Sequence, residues 1–321
     1  MKRFLIFGLS LAVLMTHSLV RAEEAVHLSI ATGGTGGIYY PIGSGMASLI
    51  SKHISNTEAT AEVTNASIDN CRLINQGKVN LAFAGADVAW EAYQGRGKEF
   101  KEKVPLRTMA LVYPVFMYLV TLGDNGIDKV TDLKGKKVST GAPGSWTEAT
   151  STRILEAYRL NPDKDVVRSR LGPSDSSVDL REKKLHAFFW GGGIPTASLS
   201  ELAMSPGMKF KLISPAEAVP MMRQKYGPVY VTGVIPAKTY FSQDVDVSVP
   251  VVWNLLVCHE NFREDLAYQI IKTFMEHQPE LSAFQREARF LTLQSQAGGG
   301  SPIPFHSGTL RYLAEKGMKV K

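Results

Sequence analysis

One pattern recurs along this chain: a strand, a glycine-rich turn and then a helix. The turns lie at 33–37, 141–147 and 191–195, the first in an N-terminal set of elements and the other two in a middle set. In open α/β sheets, ligands bind beyond the carboxyl ends of the strands, where the helices begin. The pattern therefore predicts two α/β units with a binding cleft at such edges.

The order of elements in the N-terminal third supports this prediction. Val26, Leu28 and Ile30 alternate as in a strand, and apolar residues from Ile38 to Ile50 recur at helical spacing. The segment "ATAEVTN" is predicted as a strand, followed by a helix capped by Ser67, the strand "VNLAFAG" and another helix. This β-α-β-α-β-α order predicts a parallel sheet covered by helices.

The rest of the chain continues the alternation and then becomes mostly helical. "TMALVYPVFMYLVTL" is predicted as two strands separated by Pro114, with a crossing between domains near that proline. Pro195 is expected in the first turn of a helix, and "QSQAGGGSPIP" in a surface loop. The predicted C-terminal helices are 262–274, 280–291 and 307–316. The predicted domain I is 23–113 plus 240–321, and domain II is 114–239.

Residues 1–22 have the layout of a cleavable signal peptide. Lys2 and Arg3 precede an apolar run that ends near Met15, and Val20 and Ala22 stand at the −3 and −1 positions. The run is shorter than the ~20 residues of a spanning helix. The sequence therefore predicts a soluble, exported protein of the periplasm. The formal charge of +6 falls to +3 without this segment, which is too mild to indicate nucleic acid binding.

Motifs for catalysis, metals and cofactors are lacking in the sequence. No G-x-S-x-G elbow or phosphate-binding loop is present, and "HENFR" has Arg263 where a zinc motif needs its second histidine. His27 is expected on a strand, and His306 as a surface or capping residue. Cys71 and Cys258 are predicted to be buried and unpaired. We therefore expect no enzyme, no metal and no cofactor.

The glycine-rich turns instead suggest a site for an anion. Glycine lets the backbone approach a ligand, and the N–H groups at a helix start favour negative charge. Tyr39 and Tyr40 offer flat walls and hydroxyl groups beside the first turn. Ser145 is expected to cap a helix or contact the ligand, because no base accompanies it in the sequence.

Several segments resemble the TAXI family, the solute receptors of tripartite ATP-independent periplasmic (TRAP) transporters. They are "GGTGGIYYPIG", "TNASIDNCRLINQGKVNLAFAGADVAWEAYQG", "VYPVFMYLV", "DLKGKKVSTGAPGSWTEAT", "AFFWGGGIP" and "PFHSGTLRYLAEKG". The resemblance implies a type II periplasmic-binding-protein fold, with two α/β domains around a cleft. It also implies delivery of a small carboxylate or amino acid, such as glutamate, to a TRAP permease in the membrane. We expect a monomer.

The same resemblance implies ligand contacts from both domains. On domain I they come from the first loop and from the second and third helix starts, and on domain II from a helix start and the rim. The implied residues are Gly36, Gly37, Tyr39, Ser67, Asn70, Asp87, Ser145, Trp146, Thr147, Trp190 and Gly191.

Three departures from the family pattern bear on the ligand. Gly85-Ala86 replaces a frequent Gln-Ser pair, Trp146 replaces a small residue, and Ala66 stands where glycine is usual. The first removes polar groups and the second fills space, so together they predict a smaller or more apolar pocket than a glutamate site. Arg72 fits equally well as a carboxylate clamp or as a structural salt-bridge partner.

The predicted mechanism is hinge closure, in which the solute bridges both domains and stabilises the closed form. Two other functions remain open at the level of the sequence. One is an exported α/β enzyme that acts on a small acid. The other is a ligand-binding partner of a membrane sensor.

Overall fold

The computed structural model of the protein describes residues 25–35, 38–97, 99–143 and 146–320. The predicted signal peptide, 1–22, lies outside this range. Within the described residues, none of the helices combines the length and the apolar character that are needed to cross a bilayer.

The N-terminal βα units agree with the sequence prediction. Strand β1 pairs in parallel with both β2 and β3, and a helix follows each strand. We call these elements, together with the C-terminal helices, lobe I. The bounds are β1 Val26–Ala31, α1 Tyr39–His53, β2 Thr57–Glu62, α2 Ser67–Asn75, β3 Leu81–Gly85 and α3 Ala86–Gln94.

Two long strands connect lobe I to the rest of the protein: β4, Leu106–Leu122, and β10, Val247–His259. The prediction of two strands separated by Pro114 is wrong, since β4 runs through this proline. Pro114 is tolerated because β10, which pairs with it at Trp253, changes register nearby, between Asn254 and Leu255. The amino-terminal half of β4 pairs with β10 beside β3, and its carboxyl-terminal half pairs with strands of the second lobe.

The second lobe, lobe II, alternates strands and short helices. Its β6, β5 and β7 are parallel, while β7 and β8 run antiparallel to β4. The bounds are β5 Lys137–Ser139, α4 Trp146–Ala157, β6 Val167–Ser169, α5 Pro173–Arg181, β7 Ala187–Gly192, α6 Ala197–Met204, β8 Phe210–Ile213, α7 Val219–Tyr226 and β9 Val231–Ile235.

The pairing of β9 bears on where the chain returns to lobe I. β9 pairs with Val247–Val251, the first part of β10, while residues 254–258 of β10 pair with β3. The first part of β10 thus pairs with a strand of lobe II and its later part with β3, and the partners of β4 change near Pro114. The domain bounds, 23–113 plus 240–321 and 114–239, stay a prediction.

Two predictions for the later elements need correction. Pro195 precedes α6 rather than lying in its first turn. The helix predicted over 280–291 ends at Phe284 and continues as a 3₁₀ turn, Arg286–Phe290. The C-terminal helices are α8 Glu264–Glu276, α9 Gln278–Phe284, α10 Leu293–Ala297 and α11 Ser307–Glu315.

The segment predicted as a surface loop, "QSQAGGGSPIP", is instead partly helical and packed. The buried Gln296 side chain bonds both backbone groups of Leu111, accepting at 2.7 Å and donating at 2.9 Å. A Cβ on Gly300 would lie 2.5 Å from a Leu111 methyl carbon. The glycines here thus serve close packing against β4.

The hydrophobic core consists of three clusters. One fills the space between the sheet of lobe I and helices α1, α8, α9 and α11. A second lies within lobe II around β4, β7 and α6. The third covers the other face of the sheet and includes residues of both lobes, among them Cys71 and Ile154. The two lobes therefore share one continuous apolar contact.

Candidate functional site: the cleft between the lobes

Three helix starts converge at one edge of lobe I. Helices α1, α2 and α3 begin after the carboxyl ends of the neighbouring strands β1, β2 and β3. None of the three described N-cap residues, Ile38, Ala66 and Gly85, provides a side-chain cap. Apart from the N–H of Val88, which the Asp87 side chain accepts, the first-turn N–H groups thus receive no side-chain cap from these residues and add partial positive charge at this edge.

Ser67 was predicted to cap α2, but it is the first residue of that helix. Its hydroxyl oxygen instead accepts the backbone N–H of Gly85 at 3.1 Å. It also lies 3.4 Å from the hydroxyl of Tyr39. Ser67 therefore ties the starts of α1, α2 and α3 together.

Tyr39 stands at the first turn of α1 with its hydroxyl at the centre of this edge. The hydroxyl donates to Asn254 Oδ1 on the crossing strand β10 at 2.5 Å. The ring stacks on Phe83, with 4.9 Å between centroids. Burial raises the pKa of Tyr39 far above its usual range, so the hydroxyl stays protonated and can donate a hydrogen bond.

Asn70 is fully buried behind the edge rather than at its surface. Its amide nitrogen donates to the carbonyls of Thr32 and Phe83, both at 2.7 Å, and its oxygen accepts from Thr64 at 2.6 Å. These bonds join the ends of β1 and β3 to the segment before α2. The Asn70 side chain therefore holds the binding edge in place from within the lobe.

Ala66, which replaces the usual glycine of the resembling family, adopts φ 65° and ψ −151°. L-residues rarely adopt this conformation, and it costs of order 1–3 kcal/mol. The glycine preference at this position thus has a backbone cause.

Lobe II meets this edge through the first residue of α4. The indole Nε1 of Trp146 donates to Asp87 Oδ2, on the first turn of α3, at 2.9 Å. The other carboxylate oxygen of Asp87 accepts the N–H of Val88 at 2.9 Å. The starts of α3 and α4, one from each lobe, therefore face each other across a narrow gap.

The Trp146 ring fills part of that gap and packs against the backbone of Gly191. A Cβ on Gly191 would lie only 2.4 Å from the ring atom Cζ3, so no other residue fits there without displacing the indole. The Gly191 N–H donates to the hydroxyl oxygen of Thr147 at 3.1 Å. The end of β7 and the start of α4 are thereby fixed as one surface facing lobe I.

Arg153, two turns along α4, adds charge to the contact between the lobes. Its guanidinium lies 3.9 Å from Asp87 and 3.6 Å from Glu91 of lobe I, and 2.5 Å from the Tyr230 hydroxyl. Burial alone would lower the pKa of Arg153, but Tyr230, Asp87 and Glu91 together raise it. Burial raises the pKa of Glu91, and Arg153 opposes that shift.

A second set of contacts joins the lobes on the opposite face of the sheet. Arg286 and Arg289, in the C-terminal 3₁₀ turn, donate to the backbone carbonyls of Pro195 and Ile194 at 2.6 and 2.8 Å. Between them lies Glu287, whose buried Oε2 has no hydrogen-bond partner. Direct contacts on both faces therefore hold the two lobes together.

The NMT1-like family matches residues 30–317 of the chain. The protein belongs to the NMT1-like family.

Solved structures show the same architecture. A TctC solute-binding protein from Polaromonas is 13% identical, with a TM-score of 0.53 over 84% of this chain and 87% of that one. A protein from Xanthomonas citri, solved with a bound chloride ion, is 8% identical with a TM-score of 0.50, covering 90% and 95% of the two chains. The periplasmic aliphatic sulphonate binding protein SsuA of Escherichia coli is 13% identical, with a TM-score of 0.48 over 92% and 84%.

The similarity to the TctC solute-binding protein shows the fold of this NMT1-like protein. The prediction of a type II periplasmic-binding-protein fold is confirmed: two α/β lobes face each other across a cleft and are joined by β4 and β10.

The structure brings together only some of the residues that the sequence suggested for the site. Tyr39, Ser67, Asp87, Trp146, Thr147 and Gly191 all lie at the cleft. Trp190 points to the other face of β7, where its indole donates to Thr196 within lobe II at 3.1 Å. Gly36, Gly37 and Ser145 lie outside the described residues.

Arg72 and the two cysteines have structural surroundings. Arg72 lies in the last turn of α2 and forms an exposed salt bridge to Glu99 at 2.9 Å. Cys71 and Cys258 are both buried and free, as predicted, and burial raises the pKa of Cys71 to about 12.

A cavity of about 550 Å³ lies beside α4, away from the contact of Trp146 with Asp87. Its lining includes Glu148, Thr152, Arg168, Arg170 and Tyr226. Arg168 and Arg170 pair with Glu148 at 2.9 and 2.7 Å. Its basic side chains are therefore already neutralised by the protein, which makes it a poorer anion site than the cleft.

Sequence reasoning missed Arg153, Glu91 and Asn254. A signal for two of them was present, because Glu91 follows Asp87 by four residues and Arg153 follows Trp146 by seven. Both spacings place the side chains on one face of a helix. No local pattern pointed to Asn254, because strand pairing alone brings it to Tyr39.

Proposed function

We propose that this protein is the solute receptor of a TRAP-type transporter, as its resemblance to the TAXI family implies. It captures a small anionic solute, a carboxylate or an amino acid, between its lobes. The closed complex then delivers the solute to the membrane permease. Membership of the NMT1-like family and the fold of the solute-binding proteins support this proposal.

The observation that carries the proposal is the meeting of helix starts from both lobes. Trp146 and Asp87 stand in the first turns of α4 and α3, and their side chains touch at 2.9 Å. Helix starts carry unpaired N–H groups and partial positive charge. A carboxylate held here accepts hydrogen bonds from both lobes at once, so it stabilises the closed form over the open one.

Tyr39, Ser67 and Thr147 supply the side-chain contacts in this proposal. Gly36, Gly37 and Ser145 supply backbone and hydroxyl groups, as the family resemblance implies. Asp87 and Arg153 act as a closing contact between the lobes. Asn70 supports the edge from behind and does not touch the solute.

Trp146 limits the size of the solute. Its ring occupies space between Asp87 and Gly191 that a small residue would leave open. We therefore expect a smaller solute than glutamate, such as a short monocarboxylate or a small amino acid.

Isothermal titration of the mature protein tests the proposal, after a thermal-shift screen of carboxylates, amino acids and aliphatic sulfonates. We expect one solute per chain, with an affinity near micromolar, or about −8 kcal/mol. The neutral amide of the same compound should bind at least tenfold more weakly, because charge-assisted bonds are lost. Equal binding of acid and amide contradicts the anion site, and turnover of the solute supports the enzyme alternative.

A further inference from the structure

We propose a metal-ion site on the surface of lobe I, formed by His53, His277 and Glu280. His53 ends α1, His277 lies at the junction of α8 and α9, and Glu280 is in the first turn of α9. Each offers one metal-ligating atom, and the three atoms lie within 4.8 Å of one another. The ion class is a divalent transition metal that prefers imidazole, with Zn²⁺ as the reference case.

The distances suit one shared ion. Oε1 of Glu280 lies 2.8 Å from Nδ1 of His277 and 3.8 Å from Nε2 of His53. Ligand atoms about a tetrahedral Zn²⁺ stand roughly 3.3 Å apart, given Zn–N bonds of ~2.0–2.1 Å. The spacing of the three donors is therefore compatible with one shared ion, and solvent supplies the fourth ligand at this exposed position.

One rearrangement is required. The two imidazole rings are stacked, with 3.7 Å between centroids and 18° between planes, and parallel rings cannot both point at one ion. The ring of His53 is partly exposed and belongs to the last residue of α1, so it can turn toward Glu280.

The Glu280 carboxylate has one partner that is not part of the proposed site. Lys52 bonds Oε2 at 2.8 Å, which leaves Oε1 to face the two rings. An ion bound here links the end of α1 to the start of α9, far along the chain.

The chain offers a matched control. His27 on β1 and Glu58 on β2 form an exposed pair at 3.3 Å, with the same residue types but without a second histidine. A single imidazole and a single carboxylate make a much weaker site. His27→Gln therefore removes a surface histidine, one more exposed than His53 and His277, without touching the proposed ligands.

Isothermal titration of ZnCl₂ into the mature, untagged protein tests the proposal. We expect one equivalent to bind, and His53→Gln and His277→Gln each to weaken binding at least about tenfold. Glu280→Gln serves as a second variant in case a histidine variant fails to fold. His27→Gln should bind like the parent, and Mg²⁺ should not compete. The proposal is overturned if the parent binds Zn²⁺ no more tightly than the variants, or if His27→Gln loses as much affinity.

Discussion

The two faces of the cleft are built differently. On lobe I, the side chains of Ser67 and Asn70 form their hydrogen bonds within the lobe, where they connect strand ends and helix starts. On lobe II, Trp146 donates its hydrogen bond to Asp87 of the other lobe, and Arg153 forms ion pairs with Asp87 and Glu91 of that lobe. Lobe I thus offers a preformed binding edge, while lobe II supplies the groups that close over it.

The comparison predicts that substitutions on lobe I change stability, whereas those on lobe II change solute affinity. The largest effect should come from Asn70→Ala, because it removes a buried donor from the carbonyls of Thr32 and Phe83. We expect a loss of about 3 kcal/mol in the free energy of unfolding, measured by urea denaturation. Asn65→Ala, exposed on the same segment, should change it by less than about 0.5 kcal/mol. Equal stability of the two variants would contradict the structural role of Asn70.

The next effect concerns Trp146 as a limit on solute size. Trp146→Ala removes the indole that lies between Asp87 and Gly191, and so enlarges the cleft. We expect this variant to gain measurable affinity for glutamate while binding the smaller natural solute about tenfold more weakly, since a contact between the lobes is lost. Titration with both solutes checks this. An unchanged preference would show that the ring does not limit the pocket.

Trp146→Phe tests the closing hydrogen bond alone. It keeps the ring but removes the N–H that donates to Asp87, so we expect affinity to fall about five- to tenfold, or ~1–1.5 kcal/mol. Trp190→Phe removes a comparable indole bond, to Thr196 within lobe II, and should leave affinity nearly unchanged. If both variants lose affinity equally, the distinction between outward and inward bonds fails.

We expect a smaller effect of pH on the free energy of unfolding, through His306 on lobe I. His306 caps α11 by accepting the Gly308 N–H, and its other ring nitrogen bonds the Phe262 carbonyl. Burial is the main cause that lowers the pKa of His306. The neutral ring therefore contributes stability that is present above pH ~6.5, and this is lost as the pH falls toward the lowered pKa. His306→Asn, which can still cap the helix, should flatten the unfolding free energy against pH between 5 and 7.

The smallest predicted effect is a gain. Ala66→Gly relieves a backbone conformation that glycine adopts readily, so we expect about 1 kcal/mol of added stability. Ala47→Gly, within α1, should instead cost about 0.5–1 kcal/mol. Urea denaturation of both variants gives the sign. A loss in Ala66→Gly would mean that the backbone relaxes without glycine.

Much of the fold followed from local pattern, because each βα unit carries its own alternation and its own glycine turn. The segments that failed depend on distant partners. Pro114 stays within a strand because β10 adjusts its register beside it, and the glycines near 300 pack against Leu111. Neither contact can be predicted from the local sequence, because each partner is distant along the chain.

The residues of the candidate site also divide into those that the sequence indicated and those that depend on distant contacts. Tyr39 was indicated by the glycine-rich turn before it, whereas Asp87 and Trp146 were implied by the resemblance to the TAXI family. The roles of Asn70 and Trp190 were not predicted, since they depend on which way a side chain points. Asn254 reaches the site only through the pairing of β10 with β3 and β4.

A crystal structure of the complex with the tightest-binding solute tests the central claim most directly. The account predicts that the carboxylate of the solute lies in the gap between the lobes, bonded to the starts of lobe I helices and to Thr147 of α4. A solute bound in the cavity beside Arg168 and Arg170, with Trp146 still closing the gap, would contradict it.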